Sequence, residues 1–420
     1  MTARENEPVH IIGAGISGLI AAIVLEDHGY NCVIYDMADR EGGRVKTDII
    51  NKYQLDHGFQ ILLGAYPKAK EYLDYDALDL QEILPGAVVF EKDKKSVLGD
   101  PLREISFLIP TIFNGVATLS DKIKVMRLYL KLKNKSLLEI FESPEQSTEF
   151  YLKDFGFSER IVKKFFKPFF TGIFLEPDLA TSSRMFEFVF KLFGEGSAYL
   201  PKAGIAAIPN QLKLKLKRST FQFNTAIDKV EEGAIYLSDG TKVLSNNTII
   251  ATTASNLVQN LKNQETRWKS CINFYFEVDK RVVEKPIIGL IADENALINN
   301  IFYHNSVETI SSGDSELLSV TVVKSSSLSE KSLLERVISE LAMYCGIENP
   351  RFLKRYVIKK ALPDLQQLQY ELAPTETQLT SGIFLAGDQL LNGSLNAAMI
   401  SGERAAMAVI KKIKGGTITG

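Results

Sequence analysis

The sequence predicts an α/β fold built on a parallel sheet, and three observations carry that expectation. Residues 9–22, VHIIGAGISGLIAA, pass from a short apolar run through a glycine-rich turn into the start of an amphipathic helix, the order strand, turn, helix. A second apolar run, residues 32–35, follows at the spacing of a strand–helix–strand unit and ends at Asp36. The chain has 420 residues, 45% of them hydrophobic and 24% charged, which is enough for a large core and long for one compact domain. Two domains are therefore expected.

Gly13, Gly15 and Gly18 form G-x-G-x-x-G between the first strand and helix. The first glycine permits the tight turn, the second lets backbone approach a pyrophosphate, and the third lets helix and strand pack closely. The helix N-terminus presents free N–H groups to the phosphates. Such turns also close ordinary strand–helix units, so the pattern alone is weak. Asp36, placed where an acid binds an adenosine ribose, turns it into a dinucleotide-site prediction.

A formal net charge of −2, with no long basic run near this turn, argues against nucleic acid as the main partner. Cys32, Cys271 and Cys345 are far apart and odd in number, so neither a disulfide framework nor a zinc site is indicated, and a reducing compartment is expected. No His/Cys/Asp/Glu cluster has metal-ligand spacing, and no metal is expected. Residues 1–10 lack an apolar targeting core, and no run approaches the roughly 20 apolar residues of a membrane span. The expectation is a cytoplasmic protein, soluble or peripheral on a membrane.

After the second strand comes DREGGRVKT, residues 39–47. Gly42 and Gly43 read either as a plain loop turn or as backbone brought against a diphosphate, with Arg44 supplying a planar guanidinium for it. Residues 54–63, QLDHGFQILL, read as a strand interrupted at His57-Gly58, and a glycine inside a strand marks a bulge or a close neighbour.

With GAGISG, an acid, GGRV and DHGFQ in that order, the chain resembles the FAD-dependent amine oxidase superfamily, which includes protoporphyrinogen oxidases, phytoene-type desaturases and squalene-oxidising relatives. The resemblance implies FAD as cofactor. It implies a Rossmann-type FAD-binding domain, glutathione-reductase-like with a parallel sheet, made of residues 1–66, 202–256 and 376–420. An inserted α+β substrate domain would comprise residues 67–201 and 257–375. It carries cofactor contacts onto Gly13, Gly15, Ile16, Ser17, Gly18, Asp36, Met37, Arg40, Gly42, Gly43, Arg44, Gly58, Phe59, Gln60 and Ile61. In the family the double-glycine segment lies on the pyrophosphate and the later glycine segment runs beside the flavin ring.

From residue 66 the texture changes to long apolar-periodic segments. Residues 102–117 are rich in large apolar side chains, and residues 122–141 read as one basic helix carrying Lys122, Lys124, Arg127, Lys131, Lys133 and Lys135. That helix is either a core helix with a solvated face or an interfacial patch meeting anionic lipid. Residues 164–176, KFFKPFFTGIFLE, hold five phenylalanines that read as core or as the lining of an apolar tunnel. Residues 181–190 read as a capped helix entering the same region. The resemblance makes residues 198–212 the return to the FAD domain.

Residues 221–230 and 234–237 read as paired strands, and residues 248–254 as a buried strand ending in small polar residues. In the family this hairpin flanks the adenine, with the backbone near Val230 touching it; a plain structural hairpin is the alternative. Residues 268–278 and 317–324 alternate as strands of an antiparallel sheet, with residues 332–345 a helix beside it. Such a sheet would floor a substrate cavity. His304 reads as a structural histidine. In residues 382–410 a strand ends at Ala386, Gly387 turns, Asp388 offers a carboxylate, and an alanine-rich helix begins near Asn396. The resemblance places Gly387, Asp388, Ser394, Leu395 and Asn396 at the cofactor, with the helix N-terminus on the flavin's pyrimidine edge.

No triad or general base stands out, as expected where a flavin carries the difficult step. Two departures bear on the substrate. Family amine oxidases place an aromatic residue before the C-terminal helix, where this chain has Ser394 or Leu395, and a lysine near the flavin, where alignment puts Ser270 beside Lys269. The expected activity is desaturation or oxidation of a small apolar substrate, isoprenoid-, carotenoid- or porphyrinogen-like, by hydride transfer to flavin. Oxidation of an amine or amino acid is the second reading. A third is prenyl-group binding without flavin, as in Rab GDP-dissociation inhibitors, against which intact Arg44 and Asp388 argue.

Overall fold

The computed structural model describes residues 7–92, 94–99, 115–261 and 264–415. Among them, a five-stranded parallel sheet runs in the order Thr220–Gln222, Cys32–Tyr35, Val9–Ile12, Thr248–Ile250, Ile383–Leu385. Strands from both ends of the sequence thus share one sheet, Ile383–Leu385 at its edge and Val9–Ile12, buried along its whole length, at its centre. Parallel strands buried on both faces read as continuous apolar runs, as VHII, CVIY and TII do.

The helix after the first strand, Ile16–Asp27, is not amphipathic as expected: every residue from Ile16 to Glu26 is buried. It lies beneath the C-terminal helix Leu395–Ile413, and a helix covered on all sides is apolar all round. Glu26 accepts the backbone N–H groups of Lys217, Arg218 and Ser219, which fixes the entry to the edge strand. The anticipated strand over 221–230 is two strands in two sheets, Thr220–Gln222 and Ile227–Glu231, because the chain turns between them with Asn224 in the left-handed region. Similarly, 54–63 divides into Tyr53–Asp56 and Leu62–Leu63, the first paired with Thr47–Ile50 through a turn whose two residues, Asn51 and Lys52, are both left-handed.

The second large layer is a seven-stranded sheet among the described residues. Its order is Arg351–Pro363, Trp268–Val278, Glu316–Val322, Ile298–Tyr303, Ile288–Ile291, Gly86–Glu91, Lys94–Gly99. Helix Glu330–Cys345 packs with it. Most of the expected segment 102–117 lies outside the described residues. The expected basic helix over 122–141 is two helices, Leu119–Lys133 and Leu137–Glu142, since Asn134 ends the first and Ser136 caps the second. Its lysines do not form one solvated face either: Lys131 and Lys135 both reach inward to the buried Glu187 of helix Ser183–Glu195. The phenylalanine segment is helical, an unwound turn over Val162–Phe166 continuing into Lys167–Phe174 and ending at left-handed Leu175.

His304 is buried among the rings of Phe59, Tyr275 and Phe302, and its Nε2 has no partner. Burial pushes its pKa from 6.5 down to about 4. A neutral ring in the folded state means that between these values the unfolded chain binds a proton the folded chain refuses. The contribution to stability is therefore full above pH 6.5 and is lost as pH falls toward 4, at about 1.4 kcal/mol per pH unit. As pH falls from 6.5 toward 4, the urea-unfolding midpoint of the parent should drop relative to that of His304→Phe. Parallel pH profiles would contradict it.

Candidate active site

The N-terminal turn, the double-glycine segment and the C-terminal helix enclose one end of a cavity of about 1400 Å³. Ligand pockets run to about 300–1,000 Å³, so this space accommodates a dinucleotide cofactor with a second molecule beside it. Gly13 N–H donates to Tyr35 O at 2.7 Å, closing the turn over the second strand. Gly15 caps helix Ile16–Asp27 without a side chain, so the first-turn N–H groups face the cavity that Gly15, Ile16 and Ser17 line. Asp36 accepts the N–H groups of Ala14 and Ala38, each at 2.8 Å, which pins its carboxylate to the cavity wall beside exposed Met37.

Gly42 sits at φ 111°, and a Cβ there would stand 2.3 Å from Val45 O, so only glycine fits. Its N–H donates to Ala14 O at 2.9 Å, laying the double-glycine segment along the first turn. Arg44 follows and pairs with Asp388, donates to Ala361 O at 3.2 Å, and stacks 5.1 Å from the Trp268 ring. Residues 344 positions apart thus share one charged contact. Gln60 braces the wall by donating to Arg44 O and His57 O, at 3.0 and 2.9 Å, within the segment Gly58, Phe59, Gln60, Ile61.

On the opposite side Ser394 caps Leu395–Ile413 by accepting Ala397 N–H at 3.0 Å, and Gly387 N–H donates to Ser401 Oγ at 2.9 Å. Gly387, Asp388, Ser394 and Leu395 all line the cavity. Two helix N-termini therefore aim at the same space, an arrangement that favours a polyanionic ligand.

Four anticipated cofactor residues lie off the wall. Gly18 faces the turn, where a Cβ would stand 2.0 Å from Gly13 O. Arg40 turns to Asp48, which also holds His57 and Tyr356, so it braces the hairpin. Val230 is buried against Ile12, Ile235 and Ile250, and its N–H is taken by Leu257 O at 2.8 Å. Asn396 is buried and accepts Lys68 N–H at 3.0 Å, which keeps its side chain behind the helix.

Conversely, Ala251, Thr252, Thr253 and Ser255 line the cavity without having been singled out. Loops at the carboxyl ends of parallel strands form the crevice of such sheets, and that rule applied to Thr248–Ile250 would have found them. Trp268, Cys271, Ala361 and Leu362, on two antiparallel strands of the seven-stranded sheet, carry no local signal.

The cradle fits FAD on these grounds: the cavity size, the two helix N-termini, the pinned Asp36, and the Arg44–Asp388 pair. A model of the family described as flavin containing amine oxidoreductase matches residues 16–410. This chain belongs to that family. The family is FAD-dependent, and FAD is the cofactor.

Protoporphyrinogen oxidase 2 (chloroplastic/mitochondrial) of Arabidopsis thaliana is 26% identical over 172 residues, 40% of this chain and 33% of its own length. Hydroxysqualene dehydroxylase of Sinorhizobium fredii is 36% identical over 66 residues, 15% of this chain and 16% of its own. The matched stretches thus span a third or less of these relatives. An oxidoreductase structure from Methanosarcina mazei superposes with a TM-score of 0.72 at 15% identity, covering 96% of this chain and all of that one (100%), which shows a shared fold.

The rest of the cavity is largely apolar, with Lys122, Asn300, Thr321 and Lys360 among its polar lining residues. Phe165, Phe166, Phe169 and Phe170 form one wall with Met185, Val189, Phe190 and Phe193 from helix Ser183–Glu195. The phenylalanine segment thus serves both expected roles, since Phe166 and Phe170 are also fully buried in the core. Of the described lining residues, the carboxylates are Asp36 and Asp388, both at the cradle. Among the described residues no His/Cys/Asp/Glu group is placed to hold a metal.

Proposed function

We propose that this protein is an oxidoreductase that oxidises or desaturates an elongated, largely apolar substrate, isoprenoid- or porphyrinogen-like in chemistry. The observation that carries this is the aromatic and aliphatic wall continuing directly from the cradle, without a carboxylate of its own. A buried ammonium there would lack a counter-charge, which is costly. FAD, when bound, supplies the two-electron acceptor. The chain's own part is to exclude water and hold the substrate with the phenylalanine helices against Phe59 and Ile61.

The features expected of an amine site are redirected. Ser394 is committed to capping and donates to Asn392 Oδ1 at 2.7 Å. Lys269 turns to Thr181 Oγ1 at 3.1 Å and Asp364 at 3.7 Å, while Cys271 takes the wall position. The test is the anaerobic visible spectrum of the purified protein before and after adding lipid extract or a panel of amines. Bleaching by the lipid extract alone is expected. Bleaching by amines would replace the proposal, and no flavin band even with added FAD would leave only the prenyl-binding reading.

We also propose that the substrate enters from a membrane surface. Leu119, Ile123, Met126 and Leu130 are 75%, 56%, 41% and 54% exposed and recur at helical spacing on one face of Leu119–Lys133. Met126 belongs at once to this stripe and to the cavity wall, and Arg127 and Lys133 flank the stripe where they suit anionic lipid. No helix among the described residues is long and apolar enough to cross a membrane, so the contact would be peripheral. Vesicles containing anionic lipid should sediment the parent protein and release Ile123→Glu/Leu130→Glu by at least about tenfold. Equal sedimentation of both would refute this route.

A further inference from the structure

One row of polar side chains interrupts the apolar wall. Asn273, Thr321 and Asn300 stand side by side on three adjacent strands, in register as Asn273↔Thr321 and Asn300↔Thr321. All three are buried, at 0%, 5% and 2% exposure, and Thr321 and Asn300 line the cavity. The Thr321 hydroxyl donates to Asn273 Oδ1 at 3.1 Å, and Asn300 Nδ2 donates to Thr321 Oγ1 at 3.3 Å. Behind them Ser319 Oγ donates to the same Asn273 oxygen at 3.1 Å.

The approaching helix completes the row. Asn299 Nδ2 donates to Asn300 Oδ1 at 2.9 Å and to Pro168 O at 3.1 Å, and a Cβ at Gly172 would stand 2.9 Å from Asn299 Nδ2. A glycine at that point lets the phenylalanine helix seat against the amides. Buried polar groups in a sheet core cost stability unless they are satisfied. Here Asn273 Nδ2 has no partner, and the second N–H of Asn300 has none within the row. A row that only filled space would be more stable as valine and leucine.

We infer that Asn300 and Thr321 form a subsite for one neutral oxygen function, a hydroxyl or carbonyl, on an otherwise apolar substrate. This rests on the apolar-substrate reading above and narrows its substrate class. The row offers the second amide N–H of Asn300 as a donor and the remaining lone pair of Thr321 Oγ1 as an acceptor, and no formal charge of its own, so it suits a neutral oxygen and supplies no counter-ion for a carboxylate or ammonium. Placement agrees with this. Phe302, two residues beyond Asn300 on the same strand face, packs against Phe59 of the segment flanking the cradle, with ring centroids 4.8 Å apart and planes tilted by 37°. Two residues of strand span about 7 Å, so a substrate anchored at the row lies against that segment.

The experiment uses the FAD-loaded protein titrated with farnesol, farnesylamine and farnesoic acid, read by perturbation of the flavin spectrum. Farnesol should bind at least about tenfold more tightly than the amine or the acid, and Asn300→Leu and Thr321→Val should each remove about tenfold of that preference, with FAD affinity unchanged. Equal binding of the three in the parent, or an undiminished farnesol preference in both variants, would overturn the subsite. The parent's rank order decides the matter even if a variant fails to fold. Tighter binding and turnover of farnesylamine would instead overturn the apolar-substrate reading itself, which separates the two failures.

Discussion

Replacement of Gly18 by alanine is expected to strip the protein of FAD. The added Cβ would lie 2.0 Å from Gly13 O and 3.2 Å from Gly13 C, whereas carbon–oxygen contacts settle near 3.3 Å. Helix and turn must therefore separate by about 1 Å, the contact distance lacking in that pair. Neither partner is free to yield. The turn is held by the Gly13–Tyr35 and Ala14–Asp36 hydrogen bonds. The helix is held from the other side by the C-terminal helix, where a Cβ on Gly402 would stand only 2.2 Å from Ser17 O. Overpacking of this kind costs about 1–3 kcal/mol in stability. The greater effect falls on the cofactor, because the displaced atoms are the cradle. The ratio of flavin to protein absorbance after purification should fall at least about tenfold, with a lower melting temperature. A full flavin complement in Gly18→Ala would show that the turn does not touch the cofactor.

Removal of the Asp388 carboxylate should weaken FAD binding about a hundredfold. The side chain is 4% exposed and pairs with Arg44, itself held over Trp268. Arg44 itself is 39% exposed, so water partly compensates it once Asp388 is gone, and the hundredfold, about 2.7 kcal/mol, comes from losing both the carboxylate and the fixed position of Arg44. Arg44 would keep only the Ala361 carbonyl and lose its fixed position at the cavity. Titrating the apoprotein with FAD measures the effect directly for Asp388→Ala, and Asp388→Asn separates loss of charge from loss of shape. A dissociation constant within about threefold of the parent would mean that the carboxylate is not part of the cradle.

Much of the cradle was legible because its chemistry is local. Glycines are forced where backbone meets backbone, so Gly13, Gly15, Gly42 and Gly43 announce themselves at fixed spacings, and Asp36 follows from the strand that carries it. Three of the four residues that lie off the wall do so for a common reason. Arg40 and Asn396 are two and one positions from lining residues, and which face they and Val230 present depends on a partner elsewhere: Asp48 for Arg40, Lys68 for Asn396, and the Ile12–Ile250 cluster for Val230. The strand over 221–230 failed for a related reason, since apolar content continues through a bend that only two competing sheets reveal.

By its own pattern, the sequence determined the dinucleotide turn and the parallel sheet, because these rest on steric requirements repeated within short segments, and the resemblance those segments carry gave the family and FAD. The tertiary structure alone decided that Arg44 meets Asp388, that Lys131 and Lys135 reach inward to Glu187, and that Asn273, Thr321 and Asn300 align across three strands. Each of these joins segments tens to hundreds of residues apart. No local propensity encodes such contacts; burial of charge and amide groups selects them once the chain has closed on itself.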